Sequence, residues 1–283
     1  FTYPKEFSLS LLRMTKFEPA PQEEISKISK ELSSFSIELL APDLARSQMD
    51  FALEGENIRF GLNSIKGVSE KSLMALHGFR ESLTPTKFDI FIEARQAGLN
   101  IGILSALIQA GTLSSHKSNR SLLVLEAQSF NILTDREKRN VIQLGDKYNY
   151  ELLPLLADAR DGKLIGDDGR LLMPPKRFDT FYKKYQPYKK IYEKNKKYEK
   201  FANWYFETQL LGYSYTTRLK DVFNLDSFLL DSHEVENSKL NSQIKFIGVV
   251  DDCLKGTSRN GNDYLKLTMS DEIGSVAGLL MNS

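Results

Sequence analysis

The residues with the clearest chemical use lie in a short turn, residues 66–69, which leads into an apolar helical pattern over residues 70–80. Gly67 allows a tight hairpin, so the amides that follow it are predicted to point outward together at the start of a helix. Free N–H groups and the helix dipole favour an anion there, and a DNA phosphate suits the site. The alternative is a plain helical hairpin with Ser69 as its N-cap. The predicted phosphate contacts are Lys66, Gly67, Val68, Ser69, Glu70 and Lys71.

A second turn of this kind is predicted at Gly98-Leu99-Asn100. The pattern Thr86-x-x-Asp89 is a capping box that opens the helix before it, and a further helix follows from about Ile101 to Ala110. Two such turns could grip both strands of a duplex across the minor groove; the alternative is a second hairpin that only buries the first. The predicted contacts here are Asn100, Ile101 and Gly102, with Lys117 and Arg120 supplying charge from just downstream.

Residues 176–200 hold ten basic and three acidic residues, a net charge of +7 in a chain whose total is only +1. Five aromatic residues recur there at helical spacing and predict a packed stripe with lysines on the other face. We expect the lysines to contact phosphate backbone; the alternative is a solvated helix face. The aromatic stripe is Phe178, Phe181, Tyr185, Tyr188 and Tyr192, and the predicted DNA contacts are Lys183, Lys184, Lys189 and Lys190.

Other helices and the C-terminal strands complete the prediction. Pro21 opens a helix, and a second capping box at Thr134 opens another; Pro174-Pro175 is predicted to break the chain. From about residue 243 apolar and polar residues alternate, and a hairpin over 257–262 joins the first two of three antiparallel strands. The buried stripe after Pro21 is predicted to be Ile25, Ile28, Leu32 and Phe35, and the first strand to carry Ile244, Phe246, Gly248 and Val250.

Composition narrows the function classes. The 283 residues suffice for two or three domains, and 38 basic against 37 acidic residues require that any DNA surface arise from local segregation of charge. The single cysteine, Cys253, excludes a disulfide framework, and with three histidines it gives no zinc cluster. This cysteine usage predicts a reducing cytoplasm. No apolar run approaches the roughly 18 residues of a membrane span, and no signal peptide is visible. The adjacent Asp167 and Asp168 precede a glycine and read as turn formers rather than metal ligands.

Several segments of the chain share the pattern of one known family. They are Leu40-Ala41-Pro42-Asp43-Leu44-Ala45-Arg46-Ser47, Asp50-Phe51, residues 58–68, Phe88-Asp89-Ile90-Phe91, residues 104–113, residues 119–123 and residues 207–214. Together they cover about half of the chain and resemble the alpha subunit of bacterial DNA polymerase III, the C-family replicative polymerase. Three departures, at Ala45, Ser69 and residues 215–217, indicate a divergent branch, with a viral origin as one alternative.

The resemblance implies a mainly α fold with a C-terminal β part. It implies the helical end of the fingers at 1–40, a tandem helix-hairpin-helix domain at 41–130, a helical linker with the basic aromatic segment at 131–240, and an incomplete OB-like antiparallel segment at 241–283. Single-strand contacts are then expected from Lys255, Arg259, Tyr264 and Lys266.

The function implied is DNA replication, as a non-catalytic part that binds primer-template duplex and single-stranded template. Whether the chain counts as part of an enzyme stays open, because the nucleotidyltransferase palm and its Mg²⁺ are expected elsewhere and no cofactor is expected here. The rest of the polymerase is the expected partner. A sliding clamp is a further candidate partner, but residues 143–148 match a clamp-binding peptide poorly, so no clamp-binding residues are predicted. Two alternatives are a stand-alone repair or architectural DNA-binding protein and a docking module for a replication factor.

Overall fold

A computed structural model describes residues 3–68, 72–81, 86–113, 119–223 and 229–281. Helices dominate, and antiparallel strands follow at the C-terminal end, so the predicted fold class, mainly α with a C-terminal β part, is confirmed. The helices are α1 (Pro4–Met14), α2 (Pro21–Ser34), α3 (Leu73–Glu81), α4 (Lys87–Gln96), α5 (Ile101–Gln109), α6 (Arg120–Ile132), α7 (Asp135–Gln143), α8 (Leu152–Arg160), α9 (Pro175–Asn195), α10 (Glu199–Leu211), α11 (Leu219–Phe223) and α12 (Ser232–Glu236). The strands are β1 (Leu39–Leu40), β2 (Ala52–Glu54), β3 (Asn57–Arg59), β4 (Leu229–Leu230), β5 (Lys245–Phe246), β6 (Val249–Thr257), β7 (Asp263–Ser270) and β8 (Ser275–Met281).

The chain divides into two compact units, one of Phe1–Glu199 with Gln209–Gly212 and the other of Lys200–Thr208 with Tyr213–Ser283. The first unit holds α1 to α9 and a small sheet of order β1-β3-β2. The second holds the pair β4-β5 and the three-stranded sheet β6-β7-β8. The predicted domain boundaries at residues 40, 130 and 240 stay predictions.

The core of the first unit is built from fully buried aromatic and aliphatic side chains of most of its elements. Phe51 and Phe60 meet edge to face with ring centroids 4.9 Å apart, an arrangement that aromatic quadrupoles favour. The largest of these buried side chains are Phe51, Phe60, Phe79, Phe88, Phe181, Leu12, Ile25, Leu32, Leu44, Ile58, Leu62 and Ile65.

Both predicted capping boxes are confirmed. The Thr86 side chain accepts from the Asp89 amide at the start of α4, and Thr134 does the same with Glu137 at the start of α7. Each satisfies an amide that a helix start would otherwise leave unpaired.

Three structural predictions are wrong. Phe35 lies just beyond α2 and is 42% exposed, so the buried stripe ends at Leu32. Pro174 and Pro175 do not break the chain but are the N-cap and first residue of α9, where a missing N–H costs nothing. Residues 245–246 pair in parallel with 229–230, and the three-stranded sheet begins only at Val249.

Within the described residues, no helix combines the length and apolar character that a membrane crossing needs.

Candidate nucleic-acid interface

The described part of the first turn, up to Val68, contains the left-handed glycine that its sequence predicts. Gly67 has φ +92°, a left-handed conformation that glycine adopts without steric penalty. Val68 follows it with a side chain only 8% exposed, so the turn is pinned to the core by an apolar anchor. Lys66 is exposed, which leaves its ammonium group accessible to an anion.

One predicted contact of this turn is wrong. The Val68 amide does not point outward, because it donates to the Ile65 carbonyl at 3.0 Å and so closes the turn. The predicted contacts Ser69, Glu70 and Lys71 lie outside the described residues. The α-helix that follows is described from Leu73 rather than from Glu70.

A segment about 145 residues later in the sequence supports this turn, and sequence reasoning missed it. The Lys66 amide donates to the Leu210 carbonyl at 3.0 Å. Two residues on, Gly212 has φ +87°, and a Cβ added there would lie 2.2 Å from the Gln22 carbonyl oxygen. The Gln22 side chain in turn donates to the Ser64 carbonyl at 3.1 Å. The backbones around residues 22, 64–66 and 210–212 therefore pack so closely that residue 212 must lack a side chain.

The second turn joins α4 to α5 in the predicted place. Gly98 has φ +84°, and its amide donates to Arg95 at 3.0 Å while the Leu99 amide donates to Ala94 at 2.8 Å. This pair of bonds is the usual left-handed end of a helix. Leu99 is 8% exposed, so it anchors this turn as Val68 anchors the first.

The start of α5 presents backbone donors beside this turn. The Asn100 side chain accepts from the Ile103 amide at 2.9 Å and caps the helix. In the part of the chain that the structure describes, the amides of Ile101 and Gly102 have no acceptor, and Gly102 is exposed. Two N–H groups and the positive end of the helix dipole therefore meet at a place that an anion can reach.

The charge expected beside the second turn is only partly described. Arg120 is half-buried, and its guanidinium donates to the Gln109 carbonyl near the end of α5 at 3.2 Å, so it stabilises a helix end. Lys117 lies outside the described residues.

The basic segment forms α9, and its aromatic stripe packs inward as predicted at two positions. Phe181 is fully buried and Tyr185 is 6% exposed, and burial raises the pKa of Tyr185 to about 12. Tyr188 departs from the prediction, since it is 43% exposed. Lys189 lies over the Tyr185 ring, with its Nζ 5.9 Å from the ring centroid, which is a cation–π geometry. The other predicted contacts on this helix, all exposed, are Lys183, Lys184 and Lys190.

The C-terminal sheet separates the four residues predicted to contact a single strand. Directly paired residues of neighbouring strands share a face. Tyr264 pairs with Gly256 and lies against it, and Lys266, two residues on, shares that face. Lys255 is on the opposite face, and its Nζ lies 2.9 Å from the Asp263 carboxylate. Its role as a single-strand contact stays a prediction. Arg259 is exposed in the β6–β7 hairpin.

One of the two adjacent aspartates, Asp168, is held in an ion pair. Asp168 takes two hydrogen bonds from the Arg136 guanidinium, at 2.7 and 2.8 Å, and this pairing lowers the pKa of Asp168 to about 2. Across the described ranges, no three His, Cys, Asp or Glu side chains come together as a metal site.

A buried carboxylate, Glu207, organises the loop after α10, and sequence reasoning gave it no role. Its side chain is fully buried and accepts the Ser214 hydroxyl at 2.9 Å, the Tyr215 amide at 2.9 Å, and the amide and hydroxyl of Thr216 at 3.1 and 2.8 Å. These four hydrogen bonds offset the free-energy cost of removing a carboxylate from water. The residues 207–214 singled out by resemblance thus include a structural anchor.

Comparison with known proteins agrees with this geometry. Residues 36–123, which contain both turns, match the family described as "Helix-hairpin-helix motif". The chain resembles DNA polymerase III subunit alpha. It is 31% identical over 125 residues to that subunit from Aquifex aeolicus, and 30% identical over 123 residues to that from Thermus aquaticus. The subunit from Deinococcus radiodurans is 28% identical over 123 residues.

The similarity is confined to a part of each protein. Each of these matches covers 43% of this chain. The same matches cover 10%, 10% and 9% of the three relatives, so the chain spans about a tenth of their length. The predicted resemblance to this subunit is confirmed as a divergent one.

Proposed function

We propose that this chain is a non-catalytic, duplex-binding part of a C-family replicative DNA polymerase, and that it holds primer-template DNA by its phosphates. The observation that carries the proposal is the repeated turn. Each has a left-handed glycine, Gly67 or Gly98, followed by a buried apolar anchor, and both lie within the stretch that matches the helix-hairpin-helix family. Similarity to the alpha subunit supports the polymerase context.

The binding mode follows from the donors at these turns. The amides of Ile101 and Gly102 can hydrogen-bond phosphate oxygens, and the dipole of α5 adds to the attraction. Lys66 adds a point charge at the first turn. Backbone amides and a flexible ammonium group read no base edge, so the binding is independent of sequence and sensitive to salt.

The C-terminal sheet is proposed to contact template as a single strand. Tyr264 and Lys266 share a face, which places an aromatic ring for base stacking beside a cation for phosphate. In this proposal the sheet belongs to an OB-like domain, and nucleotidyl transfer with its Mg²⁺ belongs to a palm domain outside this sequence.

The proposal is tested by salt-dependent binding of the full chain to a primer-template duplex. Lys66→Ala should reduce the slope of log K against log salt by about 0.9, the share of one phosphate of B-DNA. Its matched control is Lys30→Ala, which removes an exposed lysine of α2 and should leave the slope unchanged. Equal slopes for the two variants would contradict the phosphate contact at the first turn. Purified chain should also extend no primer with Mg²⁺ and dNTPs, and extension would overturn the non-catalytic assignment.

A further inference from the structure

Two hydrogen bonds hold the first turn, and the residues just before it, from outside the helix-hairpin-helix stretch. The side chain of Gln22, the second residue of α2, donates through Nε2 to the Ser64 carbonyl at 3.1 Å. The Lys66 amide donates to the carbonyl of Leu210, in the last turn of α10, at 3.0 Å. Both supported residues lie within the matched stretch 36–123, and both supporting residues lie outside it.

The two supporting segments also pack on each other. Gly212 has φ +87°, and a Cβ added there would lie 2.2 Å from the Gln22 carbonyl oxygen and 3.1 Å from its carbonyl carbon. Gln22 thus contacts residue 212 through its main chain and Ser64 through its side chain. Because closely packed groups transmit strain to their neighbours, a shift of either segment moves the backbone of residues 64–66. We call Gln22 and residues 210–212 together the brace.

The brace acts on the residue whose ammonium group is proposed to meet a phosphate. Lys66 is exposed, and Gly67 directly after it has φ +92°. Glycine is the least restricted residue, so Gly67 alone does not fix how the chain leaves Lys66. The bond from the Lys66 amide to Leu210 fixes the turn on one side, and the buried Val68 fixes it on the other. A preorganised turn loses less conformational freedom when it binds an anion, which raises its affinity.

We propose that the brace positions the first turn for phosphate, so that duplex binding there depends on two segments outside the helix-hairpin-helix stretch. Gln22 and residues 210–212 are positioning residues, because they contact the turn and act on DNA through Lys66. The inference rests on the proposed function, since it needs the phosphate contact of Lys66. It gives a role in DNA binding to part of residues 207–214, which resemble the polymerase subunit.

The test is a double-mutant cycle on the full chain between Gln22→Met and Lys66→Ala. It is measured by fluorescence anisotropy with a primer-template duplex at several salt concentrations. Methionine keeps the side-chain length and helix propensity of glutamine and removes the donor to Ser64. In the parent chain Lys66→Ala should reduce the slope of log K against log salt by about 0.9. In the Gln22→Met background it should reduce the slope by less than about half as much, because a displaced Lys66 already misses its phosphate.

Gln128→Met is the matched control. Gln128 is also a half-buried helical glutamine, and its Nε2 donates to the Ser105 hydroxyl at 3.3 Å. The control therefore removes the same donor from a bond between α6 and α5, away from the first turn. In this background Lys66→Ala should keep its full effect on the slope. An equal loss of that effect in both backgrounds would show general loosening of the fold and overturn the brace.

Gly212→Ala disturbs the other half of the brace. An added Cβ forces residues 210–212 away from Gln22, which should break the bond between the Lys66 amide and Leu210. Hydrogen exchange of the Lys66 amide should then accelerate at least about tenfold in the folded variant. Exchange of the Leu99 amide, which donates to Ala94 in the second turn, should stay at the parent rate. An unchanged rate at Lys66 would overturn the brace.

The cycle distinguishes failure of the brace from failure of the phosphate contact, and it does so without Gly212→Ala if that variant does not fold. Additive effects of Gln22→Met and Lys66→Ala would overturn the positioning role and leave the proposed function standing. No effect of Lys66→Ala on the slope of the parent chain would overturn the phosphate contact itself, and the positioning role with it.

Discussion

A valine at Gly98 should separate the binding role of the second turn from its structural role. Gly98 has φ +84°, and an added Cβ would meet no atom within 4 Å, so the penalty comes from the backbone alone. A β-branched residue at positive φ is a severe outlier, and such strain costs about 1–3 kcal/mol. The turn relieves it by moving, and this displaces the amides of Ile101 and Gly102.

The chain offers a matched control at Gly162. Its φ is +69°, an added Cβ there also meets no atom within 4 Å, and it ends α8 with the same two bonds that Gly98 makes at the end of α4. The Gly162 amide donates to Ala159 at 3.2 Å and the Lys163 amide to Asp158 at 3.1 Å. Gly162 lies outside the stretch that matches the helix-hairpin-helix family.

The two variants should lose similar unfolding free energy and differ in DNA binding. A hydrogen bond to a charged group contributes about 1.5–3 kcal/mol, so breaking one such bond to phosphate weakens binding at least about tenfold. We expect that decrease for Gly98→Val and less than a twofold change for Gly162→Val, measured by anisotropy with a primer-template duplex after urea melts have matched the folded fractions. Equal affinities for the two folded variants would refute a phosphate site at this turn.

Three further predictions concern stability. Glu207→Leu removes a buried acceptor of four hydrogen bonds and should destabilise the second unit by about 3 kcal/mol or more, whereas Glu207→Gln should recover part of that stability in urea melts. Gly212→Ala places a Cβ 2.2 Å from the Gln22 carbonyl oxygen and should lower Tm by several degrees; an unchanged Tm would contradict the close approach. Asp168 has a folded-state pKa of about 2, below its ordinary 3.8, so its pair with Arg136 stabilises above about pH 4 and the contribution is lost as pH falls toward 2. Asp168→Asn should therefore make the free energy of unfolding depend less on pH in that window. A pH dependence parallel to that of the parent protein would count against the pairing.

Local signals in the sequence predicted the local structure well. Both capping boxes, the glycine turns and the inward position of Phe181 and Tyr185 depend on residues within a few positions of each other, and the structure has them. Such features follow from backbone sterics and helix periodicity alone.

Features set by distant residues could not be predicted in this way. No local pattern shows that the Lys66 amide donates to the Leu210 carbonyl, or that Arg177 forms an ion pair with Glu137. The face of Lys255 depends on how β6 pairs with β7, and a register irregularity lies between Val250 and Asp252. Since one residue of slip reverses the face of a strand, alternation alone did not decide it.

The most direct test of duplex binding through the turns is an amide chemical-shift titration of the isotopically labelled chain with a short duplex. The amides of Ile101 and Gly102 should shift, because a phosphate accepts from them at the start of α5. Matched amides at Asp135 and Arg136, at the start of α7, should stay in place. Shifts at α7 that equal those at α5, or no shift at Ile101 and Gly102 under saturating duplex, would contradict the account.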